Sequence, residues 1–118
     1  MNLNELRQRF NSPGTAEIDP GKGNLPRLTL TSPNGDTAEL YLHGAHLTGY
    51  TPAGDQPVLF LSSASHFTTD QPIRGGVPVF IPAFADNAPD PMPKHGFART
   101  TPWQLQSIET SGDSVVAV

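Results

Sequence analysis

Thirteen prolines and eleven glycines are spread through the 118 residues of this chain, and they leave little room for long helices. Proline lacks a backbone donor and glycine frees φ, so both break helices and punctuate turns. Their frequency predicts an all-β fold of short antiparallel strands joined by many turns. Apolar residues make up only 36% of the sequence, which makes disorder the competing reading. Long apolar runs in the middle of the chain argue against it. The length suits one small domain or a piece of a larger one.

Absence of cysteine removes disulfides and thiolate metal sites. A net charge of −4 offers no basic field for nucleic acid. The opening MNLNELRQRF lacks the apolar core of a signal peptide, and no stretch is long enough to cross a bilayer. The expectation is therefore a cytoplasmic protein with neither a nucleic-acid nor a membrane partner.

Asn2 to Phe10 suits a short helix, with an asparagine cap and Leu3, Leu6 and Phe10 near helical spacing. The next sixteen residues, NSPGTAEIDPGKGNLP, read as loop from their turn residues. Arg27 to Thr31 alternates polar and apolar as a half-buried strand does, and Ser32 to Asp36 holds an Asn-Gly hairpin turn. Thr37 to Leu42 is the return strand. Ala45 to Tyr50 and Pro57 to Leu61 read as further strands, the second of them buried. Val77 to Ile81 is strand-like, but Pro78 and Pro82 confine it to an edge or an irregular segment. Asp86 to Pro93 is a turn-rich loop, and Trp103 to Glu109 with Ser114 to Val118 form a hairpin. The apolar run Val115 to Val118 ends with no turn or cap. The expectation is a sheet left incomplete at the C-terminus, whose open edge invites self-association.

Two clusters concentrate chemistry. In Ile73-Arg74-Gly75-Gly76-Val77-Pro78, an arginine beside two glycines offers a planar fork of donors where backbone can approach a ligand closely. The same tripeptide also suits an ordinary surface turn. Pro93-Lys94-His95-Gly96-Phe97-Ala98-Arg99 gathers two cations and an imidazole, a combination able to bind phosphate and to bond or protonate a sugar oxygen. A solvated basic turn is the plainer alternative. His43 and His46 do not suggest a metal pair, because residues three apart on an extended segment face opposite ways. They read as turn and strand residues, and no metal or other cofactor is expected.

Taken in order, Gly44-Ala45-His46-Leu47, Thr51-Pro52-Ala53-Gly54, Pro57 to Ser62, Ile73 to Pro78 and Lys94 to Arg99 with Trp103 resemble the hexose-6-phosphate mutarotases. These are the glucose-6-phosphate 1-epimerases of the galactose-mutarotase-like superfamily, and the match runs from about Leu40 to Trp103. The resemblance implies that residues 1–118 are the N-terminal portion of a single mutarotase-like antiparallel β-sandwich domain that binds sugar on a concave sheet. It also implies that Arg74 and Arg99 hold substrate, phosphate included. Lys94, where the family often has glutamine, lines the site, and His95 lies at the sugar ring or its hydroxyls. Mutarotation needs an acid at the ring oxygen and a base at the C1 hydroxyl. In the family these are a histidine and a glutamate, expected downstream of Val118. The competing reading is a non-catalytic carbohydrate-binding sandwich. Phe80, Phe84, Phe97 and Trp103 would then be candidates for stacking on sugar, with core packing the alternative fate of each. A structural sandwich fragment that scaffolds a partner chain is a third possibility.

Overall fold

The computed structural model describes residues 1–81, 84–87, 90–91 and 95–118. Helix α1 (Leu3–Phe10) opens with a reciprocal cap. The Glu5 N–H donates to Asn2 Oδ1 at 2.9 Å, and the Asn2 N–H donates to the Glu5 carboxylate at 3.0 Å. Two backbone donors that the first helical turn cannot satisfy are thereby paired. Leu6 and Phe10, one turn apart, are the buried face.

Strands β1 (Ala16–Pro20), β2 (Pro26–Thr31), β3 (Thr37–Tyr41) and β4 (His46–Thr51) form one antiparallel sheet in sequence order. Alternation gives each strand two faces. Ala16, Ile18, Leu28, Leu30, Ala38 and Leu40 occupy one of them, with Ile18 opposite Leu28 and Leu28 opposite Leu40. Both Ile18 and Leu28 are buried to 1% exposure. That face packs under α1, Leu42 and Leu105. A hairpin of β5 (Ile108–Ser111) and β6 (Ser114–Ala117) adds Ile108 and Ala117, which sit directly opposite each other. The result is an antiparallel sandwich of a four-stranded and a two-stranded sheet, with the core between them. Among the described residues β6 pairs only with β5.

The other face of the large sheet is polar along much of its length and carries Asp19, Arg27, Thr29, Glu39 and Tyr41. Arg27 bonds Asp19 through two nitrogens at 2.9 and 2.7 Å, with Glu39 3.8 Å away. Tyr41 closes a second, smaller core with Leu25 and Ile73, flanked by Leu61 and Phe67. Its hydroxyl accepts the Lys22 N–H at 3.0 Å.

The strand β4 does not pair evenly. Glu39 lies opposite Gly49 but Leu40 lies opposite Leu47, so Thr48 is an extra residue, a β-bulge. Its hydroxyl lies 3.2 Å from the Glu39 carbonyl and 3.0 Å from the Glu39 carboxylate. Unbroken alternation from Tyr50, the partner of Ala38, would send His46 to the apolar face. The bulge instead makes His46 the partner of Tyr41, on the opposite side.

Three expectations need correction. The segment read as loop from residues 11–26 contains β1. Its Ile18 N–H is held by Asn11 Oδ1 at 2.8 Å and its Ile18 carbonyl by Arg7 Nε at 2.9 Å. Pro57 to Leu61 is not a buried strand: Val58 is 59% and Phe60 76% exposed. Its polar groups pair one at a time, because Gly75 and Gly76, at φ +106° and +60°, cannot continue a ladder beside it. Val77 to Ile81 takes the irregular of the two forms its prolines allow and contributes two single bridges, Val77 with Leu47 and Ile81 with Gly96. Core packing is also not the fate of Phe84 or Phe97, both of which are exposed, and Trp103 is 39% exposed. Much of the Asp86 to Pro93 loop lies outside the described residues; Asp86 itself belongs to a single helical turn, Ala85–Asn87. Among the described residues no helix is long and apolar enough to cross a membrane.

Candidate functional site

The Arg74 turn is fixed through its main chain. Ser62 N–H and Ser65 Oγ donate to the Arg74 carbonyl at 3.0 and 2.8 Å, and the Arg74 N–H lies 3.1 Å from Ser65 Oγ. Gly76 N–H donates to the Phe60 carbonyl at 2.7 Å, and Val77 N–H to the Leu47 carbonyl at 2.8 Å. A Cβ on Gly75 would meet the Phe60 carbonyl oxygen at 2.5 Å, and one on Gly76 would collide with the Leu47 carbonyl. Glycine is therefore required at both positions by close backbone approach as well as by φ. Arg74 itself is exposed.

The second segment is docked at both ends. Phe97 N–H and Ala98 N–H donate to the Ile81 carbonyl at 3.1 and 3.3 Å. Trp103 N–H donates to the Leu42 carbonyl at 2.8 Å, and its indole N–H to the Ala98 carbonyl at 3.1 Å. His95 sits at φ +65°. Its Nδ1 accepts the Ala85 N–H at 2.8 Å, and its own N–H donates to the Ala85 carbonyl at 3.0 Å. The neutral ring therefore carries its hydrogen on Nε2. The imidazole stacks on Phe80 at a centroid separation of 4.3 Å, and Phe84 meets it edge-on at 5.0 Å. Arg99 lies over the same Phe80 ring, its guanidinium carbon 5.4 Å from the centroid.

Phe80 thus gathers His95 and Arg99, while Arg74 acts on Arg99 through charge. Burial depresses the Arg99 guanidinium from its ordinary value, and the Arg74 cation adds to the effect. An arginine remains protonated through any such shift. A second cation near enough to act on Arg99 makes the pair an attraction for an anion. Lys94, the fourth expected site residue, lies outside the described residues.

His43 and His46 lie in the turn before β4 and at its first position, as expected of turn and strand residues, and both rings are buried. His43 is buried and its Nε2 lies 2.7 Å from the Gln71 carbonyl. His46 has no exposed surface, and its Nε2 bonds the Gly75 carbonyl. Burial above all holds the His46 imidazole below its ordinary value; the Gly75 bond opposes this, and the Arg99 and His43 charges add to it. Between them, Gly44 at φ +77° donates its N–H to the Thr101 carbonyl at 2.8 Å. A Cβ there would meet the Arg99 carbonyl oxygen at 2.5 Å. The positive φ at Gly44 and Ala45 was the available signal, and only Gly44 shows it in the sequence.

A separate cavity of about 530 Å³ opens beside α1, between Leu6, Leu25, Leu42, Trp103 and Leu105. None of Arg74, His95 or Arg99 lines it. Its mostly apolar walls do not suit a charged sugar.

The chain belongs to the aldose 1-epimerase family, whose family model matches residues 26–118. It is 46% identical over 78 residues to a protein of Escherichia coli (strain K12) named "putative glucose-6-phosphate 1-epimerase", a match covering 66% of this chain. A protein of the same name from Salmonella typhimurium is 40% identical over 79 residues, 67% of this chain. The chain spans 26% and 27% of the length of these two relatives. A crystal structure described as "a putative mutarotase (YeaD) from Salmonella typhimurium" superposes with a TM-score of 0.78 at 32% identity, covering 90% of this chain and 35% of that one. The fold is thus of the mutarotase type.

Proposed function

We propose that this chain supplies phosphate- and sugar-binding residues to a mutarotase that interconverts the α and β anomers of a hexose 6-phosphate. The observation that carries the reading is the gathering of Arg99 and His95 on the Phe80 ring, within reach of the Arg74 charge. The two guanidinium groups take the phosphate, Arg99 as a fork with reduced hydration and Arg74 from the exposed turn. Lys94, next to His95 in sequence, adds a third cation. His95, with hydrogen on Nε2, donates to a hydroxyl or ring oxygen of the sugar.

In the reaction a proton is delivered to the ring oxygen while another leaves the C1 hydroxyl. The bond between C1 and the ring oxygen breaks, C1 becomes an aldehyde, and rotation and reclosure give the other anomer. Arg74, Arg99, Lys94 and His95 bind and orient; none is assigned the acid or base role.

Replacing Arg99 with alanine in the protein at its natural full length tests the reading. Magnetisation transfer between α and β signals follows exchange for glucose 6-phosphate and for glucose. Loss of a charge-assisted pair should weaken the phosphorylated sugar by about 2 kcal/mol and leave free glucose nearly unchanged. An equal loss for both sugars would sink the phosphate assignment.

A further inference from the structure

Two segments far apart in sequence carry the arginines, and one short turn touches both. The turn from His43 to His46 meets the Arg99 segment at Gly44, where main chain packs against main chain. It meets the Arg74 segment at His46, whose ring bonds the Gly75 carbonyl. His43 adds a bridge to Pro102 on one side and a bond to Gln71 on the other. The bulge at Thr48 is what turns the His46 ring to this side of the sheet.

We propose that His46 is a positioning residue for phosphate: it sets the spacing between Arg74 and Arg99 by bonding the Gly75 carbonyl from a turn built against the Arg99 backbone. This rests on the assignment of those arginines to phosphate. A carbonyl can only accept, so Nε2 carries the hydrogen and Nδ1 is bare. Among the described residues Nδ1 has no hydrogen-bond partner. The ring is thus held through one bond, and that bond leads to the residue beside Arg74. Gly75 at φ +106° has no side chain to restrain it. With no donor on its carbonyl, the peptide following Gly75 would be held only by the Gly76 N–H bond to the Phe60 carbonyl, and a tilt about that bond would move Arg74 relative to Arg99.

The test compares His46→Leu and His46→Gln with Arg74→Ala and Arg99→Ala, all at natural full length. Titration calorimetry reads the affinity for inorganic phosphate, glucose 6-phosphate and glucose, and thermal melting checks folding. Leucine fills the space without a donor and should weaken both phosphate ligands about tenfold, leaving glucose unchanged. Glutamine can return an N–H to the Gly75 carbonyl and should recover most of that loss. A role confined to stability would lower the melting temperature with no selective loss of phosphate. If the leucine variant does not fold, the glutamine variant and the wild-type imidazole decide. Nitrogen-15 spectra must show Nε2 protonated and Nδ1 bare at neutral pH. The opposite tautomer, or a folded leucine variant with wild-type phosphate affinity, overturns the proposal. If the arginine variants also bind phosphate normally, the assignment beneath it falls instead.

Discussion

Between Ala16 and Thr51 the backbone pairs in a four-stranded ladder, whereas the described residues between Pro57 and Leu105 pair one bridge at a time. The ladder region has α1, Leu42 and Leu105 over its apolar face, with Ile18 and Leu28 almost fully buried. The second region leaves Val58, Phe60, Val77 and Phe97 exposed, yet it holds Arg74, His95 and Arg99. Its shape depends on positive φ at Gly75, Gly76 and His95 and on main-chain bonds to serines and carbonyls. On the proposed reading, stability and recognition are carried by different parts of one small molecule. Irregular backbone can aim side chains in directions that a pleated strand forbids, provided a rigid sheet stands behind it.

If this division is real, damage to one region should not look like damage to the other. Leu28→Ala opens a cavity at the centre of the ladder and should lower stability by about 3 kcal/mol in urea denaturation. Phosphate affinity of the folded fraction should stay unchanged; a loss as large as that of Arg99→Ala would erase the distinction. Gly76→Ala strains a left-handed residue and drives a methyl into the Leu47 carbonyl. It should cost about 2 kcal/mol and, unlike Leu28→Ala, speed amide exchange chiefly at residues 76 and 77. Gly54→Ala sharpens the comparison, because at φ +71° it has strain but open space around it. About 1 kcal/mol is expected there, with no change in exchange around residue 76.

The smallest effect belongs to the polar face of the ladder. The bond from Arg27 holds the Asp19 carboxyl below its ordinary value, with the Arg27 and Arg7 charges helping and partial burial opposing. A carboxylate lowered in the folded state contributes stability above its unfolded value, near about pH 4, and loses it as pH falls through the folded value. Both side chains are about a quarter exposed, so the contribution is about 0.5 kcal/mol. Asp19→Asn should melt below the wild type at neutral pH and converge with it towards about pH 2. A difference that persists in acid would mean that packing, not charge, is what the substitution removes.

Much of the ladder was legible because its signals are local. An asparagine cap marks the helix start, Asn34-Gly35 marks the turn, and alternation from Arg27 onward gives the strands within a residue or so of their bounds. β1 was missed because Pro13, Gly14, Pro20 and Gly21 crowd its ends, and the alternation of Ala16 and Ile18 between them is only five residues long. Pro57 to Leu61 was misread for a different reason. An apolar run looks the same whether or not its neighbour can form a ladder, and the glycines that prevent one lie some fifteen residues away. Arg74 and Arg99 could be singled out as unusual cations beside glycines or a histidine. Nothing in their spacing shows that one alters the charge equilibrium of the other. His46 does open β4, as its sequence suggests, but the assumption of strict alternation would turn its ring to the apolar face.

The bulge at Thr48 makes that assumption fail, and it acts as a parity count. Whether an imidazole or a leucine faces the arginine loops depends on whether Thr48 takes a place in the ladder or is passed over by it. Deleting Thr48 would join Leu47 to Gly49 and leave an even ladder, with Leu47 still opposite Leu40 and His46 still opposite Tyr41. Pairing Thr48 itself with Leu40 would instead exchange the sides of Leu47 and His46, placing a ring with a polar nitrogen in the apolar core and a leucine against the Gly75 carbonyl. Losing the residue and losing the bulge therefore have very different consequences at this position. The first removes the contacts with Glu39, whereas the second reassigns every upstream side chain of the strand to the wrong half of the molecule.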